Sequence, residues 1–291
     1  MTVSRTPPTT SLGKGRLYPL KGGDPLPATS QRMRSIVVAV ADLLRQPSSD
    51  LQLLLDGLWG ELQDSDAIIY VLTEHIDLVE EWLRDSVKAI VVVGTPTHAN
   101  IKFAVETAAS RCGTDGKLLI WMCCNGQLMD LPNGDKMSIL RPMDGWDAAL
   151  NGKDLKCWTS RMPTTSVLTV VLEVCHAGNF MQLPFEFATD GTVVNLKPLE
   201  ALKGPRIICI SACRSQERAH FGEVGELKCG VFSLMLKAEI DARKRDGRPV
   251  IRLGELSRLI APDLNSRGDQ NPLVTMSHPG LDAPLAFPGF Q

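Results

Sequence analysis

Short apolar runs, separated by stretches with helical spacing, constrain the fold of this 291-residue chain more than any other feature. The runs cover residues 35–40, 89–93, 118–122, 167–172 and 206–211. Strands that are apolar throughout are buried on both faces, because a strand with one solvated face alternates apolar and polar residues. The pattern therefore predicts an α/β protein in which a mainly parallel sheet carries helices on both faces.

Helical spacing of apolar residues predicts helices over 66–83, 97–109 and 230–242. Thr97 or Thr95 is placed to cap the second of these helices. Residues 1–32 are rich in Thr, Ser, Pro, Gly and basic residues and cannot bury a core, so we expect a flexible tail there. The remaining residues, 33–291, are expected to form one folded domain.

The composition argues against several classes of partner. A net charge of −2 and an aromatic content of 5% do not favour nucleic-acid binding. No apolar stretch approaches the roughly 18 residues that a membrane span needs. The eight cysteines lie mostly in apolar runs and none are spaced as Cys-x-x-Cys, which predicts reduced thiols in the cytosol or nucleus. We therefore expect no metal and no cofactor.

Cys175 follows the fourth apolar run and begins the segment Cys-His-Ala-Gly, in which small residues leave room for a substrate backbone. Asn125 similarly follows the third run and precedes Gly126. Ligands of parallel sheets bind beyond the carboxyl ends of the strands. Both residues are therefore candidates for a functional site.

The Glu-x-Cys-His-Ala-Gly segment resembles the nucleophile motif Asp-x-Cys-His-Ser-Gly of the metacaspases, which are cysteine peptidases of the caspase superfamily. Other segments resemble metacaspase motifs in the same order, at 58–65, 95–101, 183–187, 210–216 and 230–233. The resemblance implies a caspase-like, three-layer α/β fold of the caspase–haemoglobinase type over 33–291. It also implies a cysteine endopeptidase that cleaves after Arg or Lys, with Cys175 as the nucleophile.

Asn125 stands where this family places its catalytic base. The metacaspase His ends a strand in Tyr-Ser-Gly-His-Gly, and in caspases it precedes the nucleophile by about 50 residues. Asn125 lies 50 positions before Cys175, since 175 − 125 = 50. An amide cannot accept and return a proton near neutral pH, so it cannot act as a general base. The resemblance thus implies a catalytically impaired pseudopeptidase, with Gly126 as a candidate backbone donor to an oxyanion.

Such a protein would act by binding, either to a peptide or protein that carries Arg or Lys, or to an active metacaspase-like relative. A working peptidase remains an alternative, in which Cys175 is the nucleophile and the base is unrecognised. His98, His220 and His278 lie in segments that align to non-catalytic positions of the family, and His75 lies within a helical pattern. His176 is adjacent to Cys175, so its side chain is expected to point away from the thiol. A third alternative is a gene product with neither role.

Acidic residues line the metacaspase pocket for Arg and Lys, and two residues match those positions here. Glu173 takes the place of the Asp that precedes the nucleophile by two, and Asp64 matches the other acidic position. The alternatives are a solvated strand end for Glu173 and a helix cap for Asp64. Calcium binding is not expected, because Gln182 replaces an Asp and the loop over 130–136 is weakly acidic.

Overall fold

The structure is a computed structural model that describes residues 16–17, 33–41, 67–72, 90–188, 191–196, 204–224, 227–247, 251–265 and 270–279. The strands in chain order are β1 (Arg16–Leu17), β2 (Met33–Ala41), β3 (Ala67–Leu72), β4 (Ile90–Gly94), β5 (Cys112–Cys123), β6 (Asn125–Asp130), β7 (Lys136–Arg141), β8 (Leu150–Asn151), β9 (Val167–Glu173), β10 (Phe185–Phe187), β11 (Val193–Asn195), β12 (Arg206–Ser211), β13 (Phe221–Val224), β14 (Leu227–Gly230) and β15 (Leu273–Met276). The helices are α1 (His98–Arg111), α2 (Gly152–Thr159), α3 (Val231–Arg245) and α4 (Leu253–Asn265).

The main sheet has ten strands in the order β1-β4-β3-β2-β5-β9-β12-β15-β10-β11. Its central strands, from β4 to β12, are all parallel. Antiparallel strands complete both edges, with β1 on one side and β15, β10 and β11 on the other. The predicted α/β class and mainly parallel sheet are therefore confirmed, and each of the five apolar runs lies within or overlaps one of these strands.

Both faces of β5, β9 and β12 are buried. Leu118 and Ile120 of β5 face a core that also contains Ile101 and Val105 of α1. Leu119, on the opposite face of β5, is also fully buried. Burial on both faces explains why β5 and β9 lack the apolar–polar alternation of a strand with a wet side.

The helix predicted over 97–109 corresponds to α1, and Thr97 caps it. The Thr97 hydroxyl oxygen accepts a hydrogen bond from the Asn100 N–H at 3.3 Å. The third predicted helix corresponds to α3, in which Phe232 and Leu236 are buried.

The helix predicted over 66–83 is wrong for its first part. Ala67–Leu72 forms strand β3, which pairs in parallel with β2 and β4. This segment is a continuous run of apolar residues that includes two Ile and a Val, and such residues fit a buried strand. Ile69 and Leu72 also fit the spacing of a helix, so the sequence pattern alone did not indicate that this segment pairs with β2.

The N-terminal residues are not wholly separate from the sheet. Arg16–Leu17 forms β1, which pairs with Val91 and Val92 of β4. A second, three-stranded sheet consists of β6, β7 and β8 and follows directly from the end of β5. Within the described ranges, no helix is both long enough and apolar enough to cross a membrane.

Candidate functional site

Cys175 and Asn125 follow the carboxyl ends of two neighbouring parallel strands. Cys123, the last residue of β5, pairs in register with Glu173, the last residue of β9. Asn125 and Cys175 each come two residues later, and the Cys175 side chain is half-buried. The prediction that both residues lie just past strand ends is therefore confirmed, and the two ends belong to adjacent strands.

Gly126 brings the Asn125 segment into direct contact with the backbone of Cys175. A Cβ atom at position 126 would collide with the Cys175 carbonyl oxygen and with a methyl group of Val174. Only glycine permits so close an approach between two backbones. The contact makes Asn125 a near neighbour of Cys175, while the role of Gly126 as an oxyanion donor stays a prediction.

His176, directly after Cys175, has a left-handed backbone conformation with φ of 61°. Side chains other than glycine rarely adopt it, and surrounding contacts must hold it in place. The His176 N–H donates to the Glu217 carbonyl at 2.9 Å, and the His176 carbonyl accepts from the Ser138 hydroxyl at 2.6 Å. The Ser138 hydroxyl is also 3.1 Å from the Gly178 carbonyl. The chain that carries the thiol is thus held on two sides.

The imidazole of His176 is oriented by the loop after β12. Its Nδ1 lies 2.9 Å from the Ser215 carbonyl oxygen, which can only accept, so Nδ1 carries the proton. In the neutral ring the lone pair then resides on Nε2. An imidazole held by Nδ1 in this way is able to accept a proton at its other nitrogen.

The same loop contacts the thiol itself. The Sγ of Cys175 lies 3.7 Å from the Ala219 carbonyl oxygen. Glu217 fixes this loop, because its carboxylate accepts hydrogen bonds from the N–H groups of Arg214 and Asn271 at 3.0 and 2.8 Å. Among the described residues, no imidazole forms a hydrogen bond with the Cys175 sulfur.

Glu173, the last residue of β9, is buried, so it does not form a solvated strand end. Its side chain is 2% exposed, and one carboxylate oxygen accepts hydrogen bonds from the N–H and the hydroxyl of Ser233, both at 2.7 Å. Ser233 lies in the first turn of α3, where N–H groups lack helical partners and favour an anion. This carboxylate is closed off from solvent and already accepts from Ser233, so the substrate-binding role of Glu173 stays a prediction.

Two other thiols near these strands are poor nucleophiles. Burial raises the pKa of Cys209, on β12, to about 12, and it raises the pKa of Cys213, after β12, to about 12. A thiol attacks as its thiolate, which is scarce near neutral pH at such a pKa. Cys175, which is half-buried, is therefore the better placed of these three thiols to react.

Several predicted residues do not meet at this site. Asp64 and His75 lie outside the described residues. His98 packs edge-on against Trp158, with 5.4 Å between the ring centres, and His278 hydrogen-bonds to Ser277. The loop over 130–136 is the turn of the β6–β7 hairpin. No group of three metal-ligating side chains occurs within the described ranges.

No motif in the sequence pointed to the contacts by which Ser138, Ser215 and Glu217 hold the Cys175–His176 segment in place. Each of them contacts His176 across a gap of at least 38 residues, through a backbone carbonyl or a hydroxyl that any similar residue could supply. The nearest hint in the sequence was that Ser138 stands between two apolar residues, Met137 and Ile139. The structure shows that Ser138 is buried there.

The comparisons with known proteins bear on the fold alone. No protein family matches the sequence, and no curated protein does. Among solved structures, the chain is similar to protein GSU0716 from Geobacter sulfurreducens, with a TM-score of 0.55 and 13% identity. That similarity covers 84% of this chain and 93% of the other. It supports the α/β class that the strand order defines.

Proposed function

We propose that this chain is a caspase-type, metacaspase-like protein whose Cys175 is retained but whose base position holds Asn125, so that it acts by binding and not by cleavage. The observation that supports the proposal most is the contact of Gly126 with the Cys175 carbonyl. In the proposal Asn125, the residue before Gly126, takes the base position that the spacing of 50 residues implies. An amide there can donate and accept hydrogen bonds but cannot remove the thiol proton.

The bound partner in this proposal is a peptide or protein segment with Arg or Lys, or an active relative that presents one. In this proposal the negative charge for such a side chain comes from Glu173, two residues before Cys175, whose buried carboxylate the side chain would have to reach past Ser233. Arg pairs with a carboxylate through two parallel hydrogen bonds, which makes the pairing directional. We expect an Arg-terminated peptide aldehyde to bind more tightly than the matching Asp-terminated aldehyde, as measured by isothermal titration calorimetry.

The decisive test of impaired catalysis is the substitution Asn125→His. The wild-type protein should show little cleavage of Arg- or Lys-terminated fluorogenic peptides. The new imidazole supplies a group that titrates near neutral pH, and general base catalysis contributes about 10²–10⁴-fold. The gained activity should disappear in the double variant Asn125→His/Cys175→Ala. Wild-type cleavage that depends on Cys175 and ignores position 125 would contradict the proposal.

One observation favours the alternative of an active cysteine endopeptidase. The His176 ring is held through Nδ1, which leaves Nε2 as an acceptor next to the residue that carries the thiol. A base oriented by a third group is the arrangement that activates nucleophiles in hydrolases. In that case His176→Ala should remove cleavage, whereas Asn125→Ala should leave most of it.

A further inference from the structure

The amino end of the main sheet carries a row of basic side chains on one face. Val167, the first residue of β9, pairs in parallel register with Lys117 of β5 on one side and with Arg206 of β12 on the other. Residues that pair in register project their side chains to the same face of a sheet. Lys117 and Arg206 therefore flank Val167 on one face, and two strand spacings, about 9.5 Å, separate their Cα atoms.

His278 extends this row by one strand. The Ser277 N–H donates to the Ile207 carbonyl at 2.9 Å, and the Ile207 N–H donates to the Ser277 hydroxyl oxygen at 2.8 Å. Because β12 and β15 are antiparallel, the next residues outward, Arg206 and His278, lie opposite each other. The Ser277 oxygen is also 2.7 Å from Nδ1 of His278. If Nδ1 accepts the hydroxyl proton, Nε2 carries the proton of the neutral ring and can donate to a ligand.

The row is only partly open to solvent. Arg206 is exposed, whereas Lys117, Val167 and His278 are half-buried. Two residues further along the same face, the corresponding side chains are all buried: Leu119, Thr169 and Ile208. Salt screens partly buried charges less than exposed ones, so an ionic contact at this row is stronger than one on an open surface.

The cations of this row lack counter-ions in the part of the chain that the structure describes, where no carboxylate pairs with Lys117 or Arg206. Burial lowers the pKa of the Lys117 ammonium, and no described carboxylate opposes this effect. By contrast, the exposed Lys102 of α1 pairs with Glu106 at 3.9 Å. Two unneutralised cations on one half-buried face repel each other, and an anion placed between them would remove that repulsion.

We propose that Lys117, Arg206 and His278 form a binding site for a phosphate group at the amino end of the sheet. A phosphate dianion has enough charge to neutralise both cations and enough oxygens to accept from all three side chains. The guanidinium of Arg206 can bind two phosphate oxygens in its plane, while the ammonium of Lys117 acts as a point charge. Free phosphate and the phosphate monoester of a small molecule share this chemistry.

This site is independent of the proposed function. Strand β9 is seven residues long, so at about 3.3 Å per residue its two ends lie roughly 20 Å apart. Val167 begins the strand, whereas Cys175 follows its other end. The substitution Cys175→Ala should therefore leave phosphate binding unchanged, and either proposal can fail without the other.

The first test is thermal unfolding of the full chain in about 10 mM inorganic phosphate, compared with chloride at equal ionic strength. Phosphate should raise the Tm by about 3–5 °C, as expected for a ligand at about ten times its Kd. Lys117→Met and Arg206→Gln should each reduce this rise to less than half, whereas Lys102→Met should retain it. His278→Ala, which removes a neutral donor, should reduce it by a smaller amount. A rise of wild-type size in both Lys117→Met and Arg206→Gln would overturn the inference.

The second test measures acetylation of Lys117 itself and does not depend on the folding of Lys117→Met. N-Hydroxysuccinimidyl acetate acylates the neutral amine: the nitrogen–carbon bond forms, the ester carbon–oxygen bond breaks, and N-hydroxysuccinimide and the amine proton leave. Phosphate at ten times its Kd should slow the reaction at Lys117 about five- to ten-fold. The rate at Lys102 should not change, and Arg206→Gln should remove most of the protection. Equal rates at Lys117 with and without phosphate would overturn the inference.

Two phenyl esters identify the source of the phosphate group in the same acetylation assay. At about pH 8 phenyl phosphate is a dianion, because its second pKa is near 6, whereas phenyl sulfate has one charge. A monoester as the ligand predicts that phenyl phosphate protects Lys117 at about three-fold lower concentration than inorganic phosphate, and free phosphate predicts equal concentrations. Phenyl sulfate should need at least about three-fold more than phenyl phosphate. Equal protection by phenyl sulfate would overturn the assignment to phosphate.

Discussion

Cys175 and Cys213 follow the ends of neighbouring strands, yet the two thiols differ in how deeply they are buried. Cys213 comes two residues after β12, is completely buried, and lies 3.3 Å from the Val174 carbonyl oxygen. Cys175 comes two residues after β9 and is half-buried, on a chain held by the left-handed His176. Position at a strand end is therefore not sufficient for reactivity. What separates the two thiols is the direction in which the chain leaves the sheet and the depth at which each sulfur lies.

The largest expected effect on stability comes from Gly126, which packs against the Cys175 carbonyl. Gly126→Ala places a methyl group against the Cys175 carbonyl and should lower the free energy of unfolding by about 3 kcal/mol or more, since backbone must move. Urea denaturation followed by circular dichroism measures the change. Gly134→Ala is the matched control, because it meets open space and is strained only by its φ of 84°. Equal losses in both variants would contradict the close contact.

Alkylation of the folded protein should separate the two thiols directly. At about pH 8, a thiol with a pKa near 12 is thiolate in only about one molecule in 10⁴. We expect iodoacetamide to modify Cys175 at least about a hundred-fold faster than Cys213, which burial also shields from the reagent. Peptide mapping by mass spectrometry measures both rates. Comparable rates in the folded state would remove the distinction between the two sites.

The hydroxyl that holds the Cys175 loop should contribute measurably to stability. Ser138→Ala removes the donor to the His176 and Gly178 carbonyls inside the protein and should cost about 1–2 kcal/mol. Ser110→Ala, which removes an exposed bond to the Thr107 carbonyl, should cost less than about 0.5 kcal/mol. Thermal unfolding measures the stability of both variants. A Ser138 variant as stable as the Ser110 variant would contradict the claim that the Ser138 hydroxyl holds the Cys175 loop.

The smallest expected effect is a loss of stability at alkaline pH that the Cys213 thiol causes. The pKa of Cys213 is raised in the folded protein, so its stabilising contribution is present below the unfolded pKa and is lost as pH rises toward the folded value of about 12. From about pH 9 to 10 this thiol should remove roughly 1 kcal/mol of stability. Cys213→Ala should lose correspondingly less over that interval, as measured by urea denaturation. Identical pH slopes for the two proteins would contradict the raised pKa.

Much of the sheet and part of the site could be predicted from the sequence. The apolar runs located β2, β4, β5, β9 and β12, because a strand buried on both faces leaves a continuous local pattern. Thr97 was recognisable as a helix cap for the same local reason. The segment Ala67–Leu72 was assigned to a helix, since short apolar runs fit both periods and only pairing with β2 and β4 selects the strand.

The sequence by itself determined that Cys175 and Asn125 lie just past strand ends, because each comes three residues after an apolar run. Only the tertiary structure decided that Cys123 and Glu173 are in register, that His176 is left-handed, and that Arg141 lies opposite Asn125. It also decided that Glu173 is buried against Ser233 of α3, 60 positions away. Local patterns reflect the solvent exposure of each short segment, whereas these contacts join residues distant along the chain. Such contacts form only when the whole sheet assembles, and neither partner's local sequence records them.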